Sequence, residues 1–245
     1  RQTRWAINIS LDRADDAANE YEMNIALETA REWLDFWKSR LPEGDGVKDR
    51  TRRAECYGIC GSTLKRIGLL HYHRKVEISG QTTLKQSLAA YRKAMEQWAV
   101  DEEKYHWVAT QALFLIAALG QPPEPETFLL AHKLAERDLN RGSGALKAWG
   151  YGTMAELEML AMYHKPDRKA EDVRKVVEEH CSALFKLMGE GSFEVDSTRR
   201  QFQRYIEYSN YWKELEVCRP IAEKAVEALS PISGISHSNL PDYAR

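Results

Sequence analysis

Apolar residues recur at intervals of three and four along almost the whole chain, in segments rich in Ala, Leu, Glu, Lys, Arg and Gln. β-Branched clusters are scarce, so this periodicity leaves an all-α fold as the reading. Turn-forming clusters at LPEGDG (41–46), ISGQTT (78–83), GQPPEPE (120–126), NRGSG (140–144), HKPD (164–167) and GEGS (189–192) divide the pattern. Helices are expected near 11–40 (broken once), 50–73, 84–100, 103–119, 126–139, 145–163, 168–188, 195–214 and 219–229. Residues 1–49 form an N-terminal helical segment or cap, 50–229 an array, and 230–245 a Ser/Pro-rich tail or linker.

Successive helices pair, and the pairs repeat. Ser87, Tyr91 and Ala94 hold the small, aromatic, small spacing of a second tetratricopeptide helix, and Ser62, Gln111, Thr153 and Ser197 occupy equivalent positions, 49, 42 and 44 residues apart. Such hairpins cannot bury an apolar face alone, which implies a superhelical array of degenerate tetratricopeptide-like units whose first helices line a concave surface.

Composition excludes several functions. Thirty-five Lys+Arg against 37 Asp+Glu give a net charge of −2, unlike a chain that grips bulk nucleic acid through a broad basic surface. No apolar run reaches the ~18–20 residues of a membrane span, and no signal segment opens the chain, so a cytoplasmic setting without membrane contact is expected. Four cysteines read as reduced, mostly buried thiols. The chain starts at Arg1 and ends in a Ser/Pro stretch, as a piece of a longer protein would.

No Walker A, HExxH, GxSxG or HD signature occurs, so no catalytic residue is assigned. Glu103 and His106 have ExxH spacing but lack the second copy of a di-iron bundle, and no metal or cofactor is expected. Gly150, Gly152 and Ala155 mimic a dinucleotide fingerprint, yet no strand precedes them. His132, His164 and His180 read as lone surface or packing residues.

Four helix faces carry the polar signal. At about 100° per residue Ser62, Lys65 and Arg66 share a stripe, with Cys56, Ile59, Cys60, Thr63, Ile67 and Leu70 opposite. Gln111 is the one strongly polar side chain in WVATQALFLIAAL and must find a buried partner. Trp149, Thr153 and Glu156 share a face of the next first helix, and Ser197, Arg200, Gln201 and Arg204 a face of the last. Two readings stand. As a ligand site, Lys65, Arg66, Arg200 and Arg204 neutralise phosphate, Ser62, Gln111, Thr153, Ser197 and Gln201 hydrogen-bond a base or ribose, and Trp149 stacks. As structure, the small residues allow close packing and Glu156 pairs with Arg66 or Arg200 to hold the repeats in register.

The stretches YGICGSTLKR (57–66), WGYGTMAELEML (149–160) and STRRQFQRY (197–205) resemble the bacterial tetratricopeptide repeat sensor domain, related to the TRAF-binding central region of animal MAP kinase kinase kinases. Gly61, Ser62, Lys65 and Arg66 match its GSxxKR core, Trp149, Thr153 and Glu156 its W-x3-T-x2-E motif, and Ser197 with Gln201 its S-x3-Q. Gln111 stands where that family places Asn. The resemblance, over about residues 50–210, implies a non-enzymatic sensor of a nucleotide-derived signal, coupled in bacterial anti-phage defence to an effector such as a caspase-like CHAT protease in the same chain or a partner. The alternative is a tetratricopeptide scaffold that binds a peptide or helix.

Overall fold

A computed structural model describes residues 2–98, 105–165 and 167–230. Among these residues lie ten α-helices and no strand: α1 (Gln2–Asp15), α2 (Glu20–Lys38), α3 (Val47–His73), α4 (Glu77–Gln97), α5 (Tyr105–Ala118), α6 (Pro125–Arg141), α7 (Gly144–His164), α8 (Ala170–Met188), α9 (Phe193–Tyr208) and α10 (Arg219–Ala228). A 3-10 turn at Lys213–Cys218 joins the last two. The protein is an all-α array of helical hairpins, with α1 packed on α2, α3 on α4, α5 on α6, α7 on α8 and α9 on α10.

The expected break in the first helix falls at residues 16–19, where the Asn19 side chain accepts a hydrogen bond from the Glu22 amide at 3.0 Å and starts α2. Gly120, at φ 60°, closes α5 ahead of the Pro-rich turn. Three boundaries differ from the sequence reading. The first helix, expected from residue 11, already begins at Gln2. Residues 78–83 do not interrupt the chain but lie inside α4, because Gly80 serves contact and not turning: a Cβ there would sit 2.7 Å from the Tyr72 ring and 3.1 Å from the Gly68 carbonyl oxygen. The helix expected over 195–214 stops at Tyr208, where Ser209 donates its amide to the Tyr205 carbonyl and the chain tightens into the 3-10 turn. The tail expected over 230–245 lies outside the described residues beyond Ser230.

Two apolar clusters organise the packing. The larger runs from α3 through α10, with α5 at its centre: all of Val108–Ala118 are buried, as a helix apolar on every side requires. The smaller joins Ile7 and Leu11 of α1 and Met23, Leu27 and Leu34 of α2 to Cys60, Ile67 and Leu70 of α3. Helix α3 is therefore covered on both sides, and its Lys65 has no route to bulk water along either apolar face. All four cysteines are free and buried. No helix among the described residues is long and apolar enough to cross a membrane.

The spacing of Ser87, Tyr91 and Ala94 works as a close-packing device. Ser87 Oγ donates to the Gly61 carbonyl at 2.7 Å, and the Tyr91 ring lies over Gly61, where an added Cβ would approach it to 2.8 Å. Gly61→Ala is expected to gain roughly 1 kcal/mol in helix propensity and lose about 1–3 kcal/mol to overpacking against a ring that is itself fully enclosed. A lower urea midpoint at unchanged m-value is the expected readout; a raised midpoint would show that α3 and α4 separate freely.

Candidate cationic site

The first helices of successive hairpins place one polar residue each into a continuous buried chain. Lys65 on α3, 3% exposed, donates from Nζ to Oε1 of Gln111 on α5. Gln111 Nε2 donates to both carboxylate oxygens of Glu156 on α7, at 3.1 and 3.2 Å. From α9, Gln201 Nε2 (2.9 Å) and the Tyr205 hydroxyl (2.7 Å) also donate to Glu156 Oε1. Glu156 is 7% exposed. The carboxylate is thus held by two amides and a phenol, with Lys65 as its countercharge one residue removed. The pairing with Arg66 or Arg200 weighed from sequence does not form: Arg66 instead reaches Asp12 of α1 at 2.8 Å, and Arg200 is exposed.

Burial sets the electrostatics. Desolvation, helped by nearby Arg204 and opposed by Glu156, pushes the Lys65 ammonium down from 10.5 to about 7. Desolvation likewise raises the Glu156 carboxyl, against the charge of Lys65 and its three hydrogen bonds. The Lys65 Nζ also lies 5.2 Å from the Phe114 ring centroid, where the ring's negative face offsets part of the lost hydration.

In front of Lys65 opens a cavity of about 120 Å³ between α1, α3 and α9. Four cationic side chains line it, Arg4, Lys65, Arg66 and Arg204, and none of its lining residues among the described ones is acidic. Helix α1 contributes Arg4 and Asn8, one turn apart on one face, and α9 contributes Arg204 and Tyr208 by the same spacing. Ser62 completes the α3 wall. Tyr208 is 0% exposed, and its hydroxyl has no hydrogen-bond partner among the described residues.

The structure thus brings Ser62, Lys65, Arg66 and Arg204 to one cavity and sets Gln111, Glu156 and Gln201 directly behind it. It does not bring the remaining candidates there. Trp149 packs edge-on against Phe193 at 5.9 Å, and Thr153 faces His106; Ser197 is half-buried and, like Arg200, is not part of the cavity wall. Arg4, Asn8 and Tyr205 were not singled out from sequence. Arg4 and Asn8 are exposed and lie ahead of the helix expected from residue 11, so no sequence signal marked them.

A second polar cluster lies between α5, α6 and α7. The His106 ring nitrogens reach Thr153 Oγ1 and Asp138 Oδ2, each at 3.1 Å, and Arg137 Nε donates to Asp138 at 3.3 Å. This order of hydroxyl, imidazole and carboxylate has the form of a nucleophile relay, but its three members are only 3–7% exposed, so no substrate reaches the hydroxyl. Burial depresses the His106 pKa despite Asp138 beside it, which suits a neutral, structural imidazole. Glu103, the other half of the ExxH spacing, lies outside the described residues. His132 and His164, read as lone residues, are both engaged: His132 Nε2 lies 3.0 Å from Glu158, and His164 bridges the Leu113 carbonyl and the Glu124 amide. Gly150 and Gly152 sit inside α7, where they admit Leu139 and Thr198 at close range.

A buried polar spine through first helices, ending at a small cavity whose charged side chains among the described residues are all basic, defines the class: an all-α helical-hairpin protein with a cationic pocket. No protein-family model matches the chain, and no match to a curated protein or a solved structure was found.

Proposed function

We propose that this chain is a non-enzymatic, tetratricopeptide-like sensor domain that binds a phosphorylated, nucleotide-derived signal and passes its occupancy to an effector. The observation that carries the reading is the convergence of Arg4, Lys65, Arg66 and Arg204 on one cavity with no acidic wall residue among the described ones. Cations lining one cavity repel one another, and an anion among them removes that cost. The chain Lys65–Gln111–Glu156–Gln201 then links the pocket to α5, α7 and α9, so occupancy is felt across three further hairpins. The coupled effector, such as a caspase-like CHAT protease, and a role in bacterial defence rest on the resemblance of the GSxxKR, W-x3-T-x2-E and S-x3-Q motifs.

Thermal unfolding with a panel of nucleoside phosphates and cyclic oligonucleotides tests this. A ligand at 100 times its Kd stabilises the folded chain by about 2.7 kcal/mol. Arg204→Ala is expected to weaken that ligand tenfold or more, through loss of a charge-assisted hydrogen bond of about 1.5–3 kcal/mol, at unchanged helicity. No response across the panel would favour the scaffold reading. One feature supports the scaffold: Tyr21, Ile25, Trp33 and Phe36 form an exposed apolar stripe on α2 suited to a peptide or helix.

A further inference from the structure

Resting on the sensor reading, we infer that the cavity between α1, α3 and α9 is a receptor for a terminal phosphate, a phosphomonoester dianion whose organic part stays outside, and that the Tyr208 hydroxyl and Arg4 are its specific contacts.

Size gives the first argument. A cavity of about 150 Å³ accepts a benzene ring, and sites for drug-sized ligands begin near 300 Å³. At about 120 Å³ this one cannot enclose a nucleoside, but a phosphate group fits. A group with a single substituent can enter through one opening and leave its nucleoside beyond the wall. A bridging diester would have to lead two chains out.

Chemistry gives the second. The wall supplies three guanidinium groups and one ammonium, and guanidinium forks match the oxygens of a phosphate. Lys65 is buried and already bonded to Gln111 on one side, and an anion entering the cavity would favour its charged form. Arg66 is anchored by Asp12, which orients it, whereas Arg204 makes no ion pair with a carboxylate among the described residues.

Tyr208 supplies the third and independent argument. A buried hydroxyl without a partner is costly and rare in folded proteins. Its ring is held on three sides by Phe114, Tyr205 and Trp212, at centroid distances of 5.0, 6.3 and 5.3 Å, so it cannot turn to find another acceptor. Tyr208 lines a cavity whose other described polar side chains are mainly donors. Four cationic side chains beside an unused O–H call for a group that only accepts, and a phosphate oxygen is one.

The experiment titrates the whole chain by calorimetry with inorganic phosphate, adenosine 5′-monophosphate, 3′,5′-cyclic adenosine monophosphate and adenosine. Binding of phosphate and the monophosphate, with adenosine and the cyclic diester silent, is the expected result. Tyr208→Phe should weaken both by about tenfold or more while leaving the unliganded chain at least as stable as wild type, since it deletes an unsatisfied group. A merely structural tyrosine would not separate affinity from stability in this direction. Arg4→Ala provides a second variant on an outer helix and should weaken the same two probes. If a nucleotide binds wild type and Tyr208→Phe equally, the phosphate receptor is overturned while the sensor reading stands. If phosphate binds in a Tyr208-dependent way and no nucleotide in the wider panel does, the receptor stands and the nucleotide reading falls. Silence toward both phosphate and the monophosphate overturns the inference.

Discussion

Glu156→Ala is expected to lower the stability of the chain by about 3–5 kcal/mol, a large share of the 5–15 kcal/mol that holds a domain folded. The loss has three sources. Gln111, Gln201 and Tyr205 each lose the oxygen to which they donate, two of them from buried positions. Lys65 loses its countercharge while remaining enclosed. The deleted side chain also leaves a void between α5, α7 and α9. Urea unfolding at pH 7, followed by helical circular dichroism, measures the effect. Adding Lys65→Met to Glu156→Leu should restore much of the loss, because a pair of buried charges removed together leaves no uncompensated ion. A loss below about 1 kcal/mol for Glu156→Ala alone would mean that water screens the network, as for an exposed pair.

Much of this spine was legible before the structure. Gln111, alone in an apolar helix, had to find a buried partner, and it found Lys65 and Glu156. Aligning Ser62, Gln111, Thr153 and Ser197 as equivalents brought Lys65, Gln111, Glu156 and Gln201 within four residues of the markers, because helix geometry keeps such offsets on one face. The partner of Glu156 was not legible. Spacing fixes which residues share a stripe of one helix, but the rotation of that helix against its neighbours decides which stripe it meets. Arg66 and Arg200 were as near in sequence pattern as Gln201, yet one turns to α1 and the other to solvent. Gly80 misled for a related reason: the glycine that breaks a helix and the glycine that lets two backbones touch are the same residue, and only the partner helix distinguishes them. The part played by α1 was hidden because Arg4 is more than fifty residues from any other wall residue outside its own helix. The open valence of Tyr208 has no sequence signature, since it is a property of what surrounds the hydroxyl.

The pH dependence of stability separates Lys65 from every other buried group. Its folded pKa of about 7 lies below the 10.5 of the unfolded chain, so between these values the unfolded state binds the extra proton and stability rises with pH. The charged groups facing it are Arg204 of α9, which depresses it, and Glu156 of α7, which sustains it; Arg4 of α1 shares the cavity wall. Glu156 runs the opposite way, its raised pKa giving stability that is complete below 4.5 and lost as pH climbs through the folded value. Above pH 8.5 the buried thiols Cys56, Cys60, Cys181 and Cys218 also oppose Lys65, because burial raises each of them and the unfolded chain ionises first. Total stability therefore hides the lysine, and the useful quantity is the difference between wild type and Lys65→Met, in which the thiols cancel. That difference should move in favour of wild type by on the order of 3 kcal/mol between pH 7 and pH 10, at about 1.36 kcal/mol per unit where the folded lysine is neutral and the unfolded one charged. In the variant Glu156 has lost its countercharge, so its own titration adds to the difference with the same sign. Parallel pH profiles of the two proteins would mean that Lys65 keeps its proton throughout, and with it a fixed positive charge at the cavity floor.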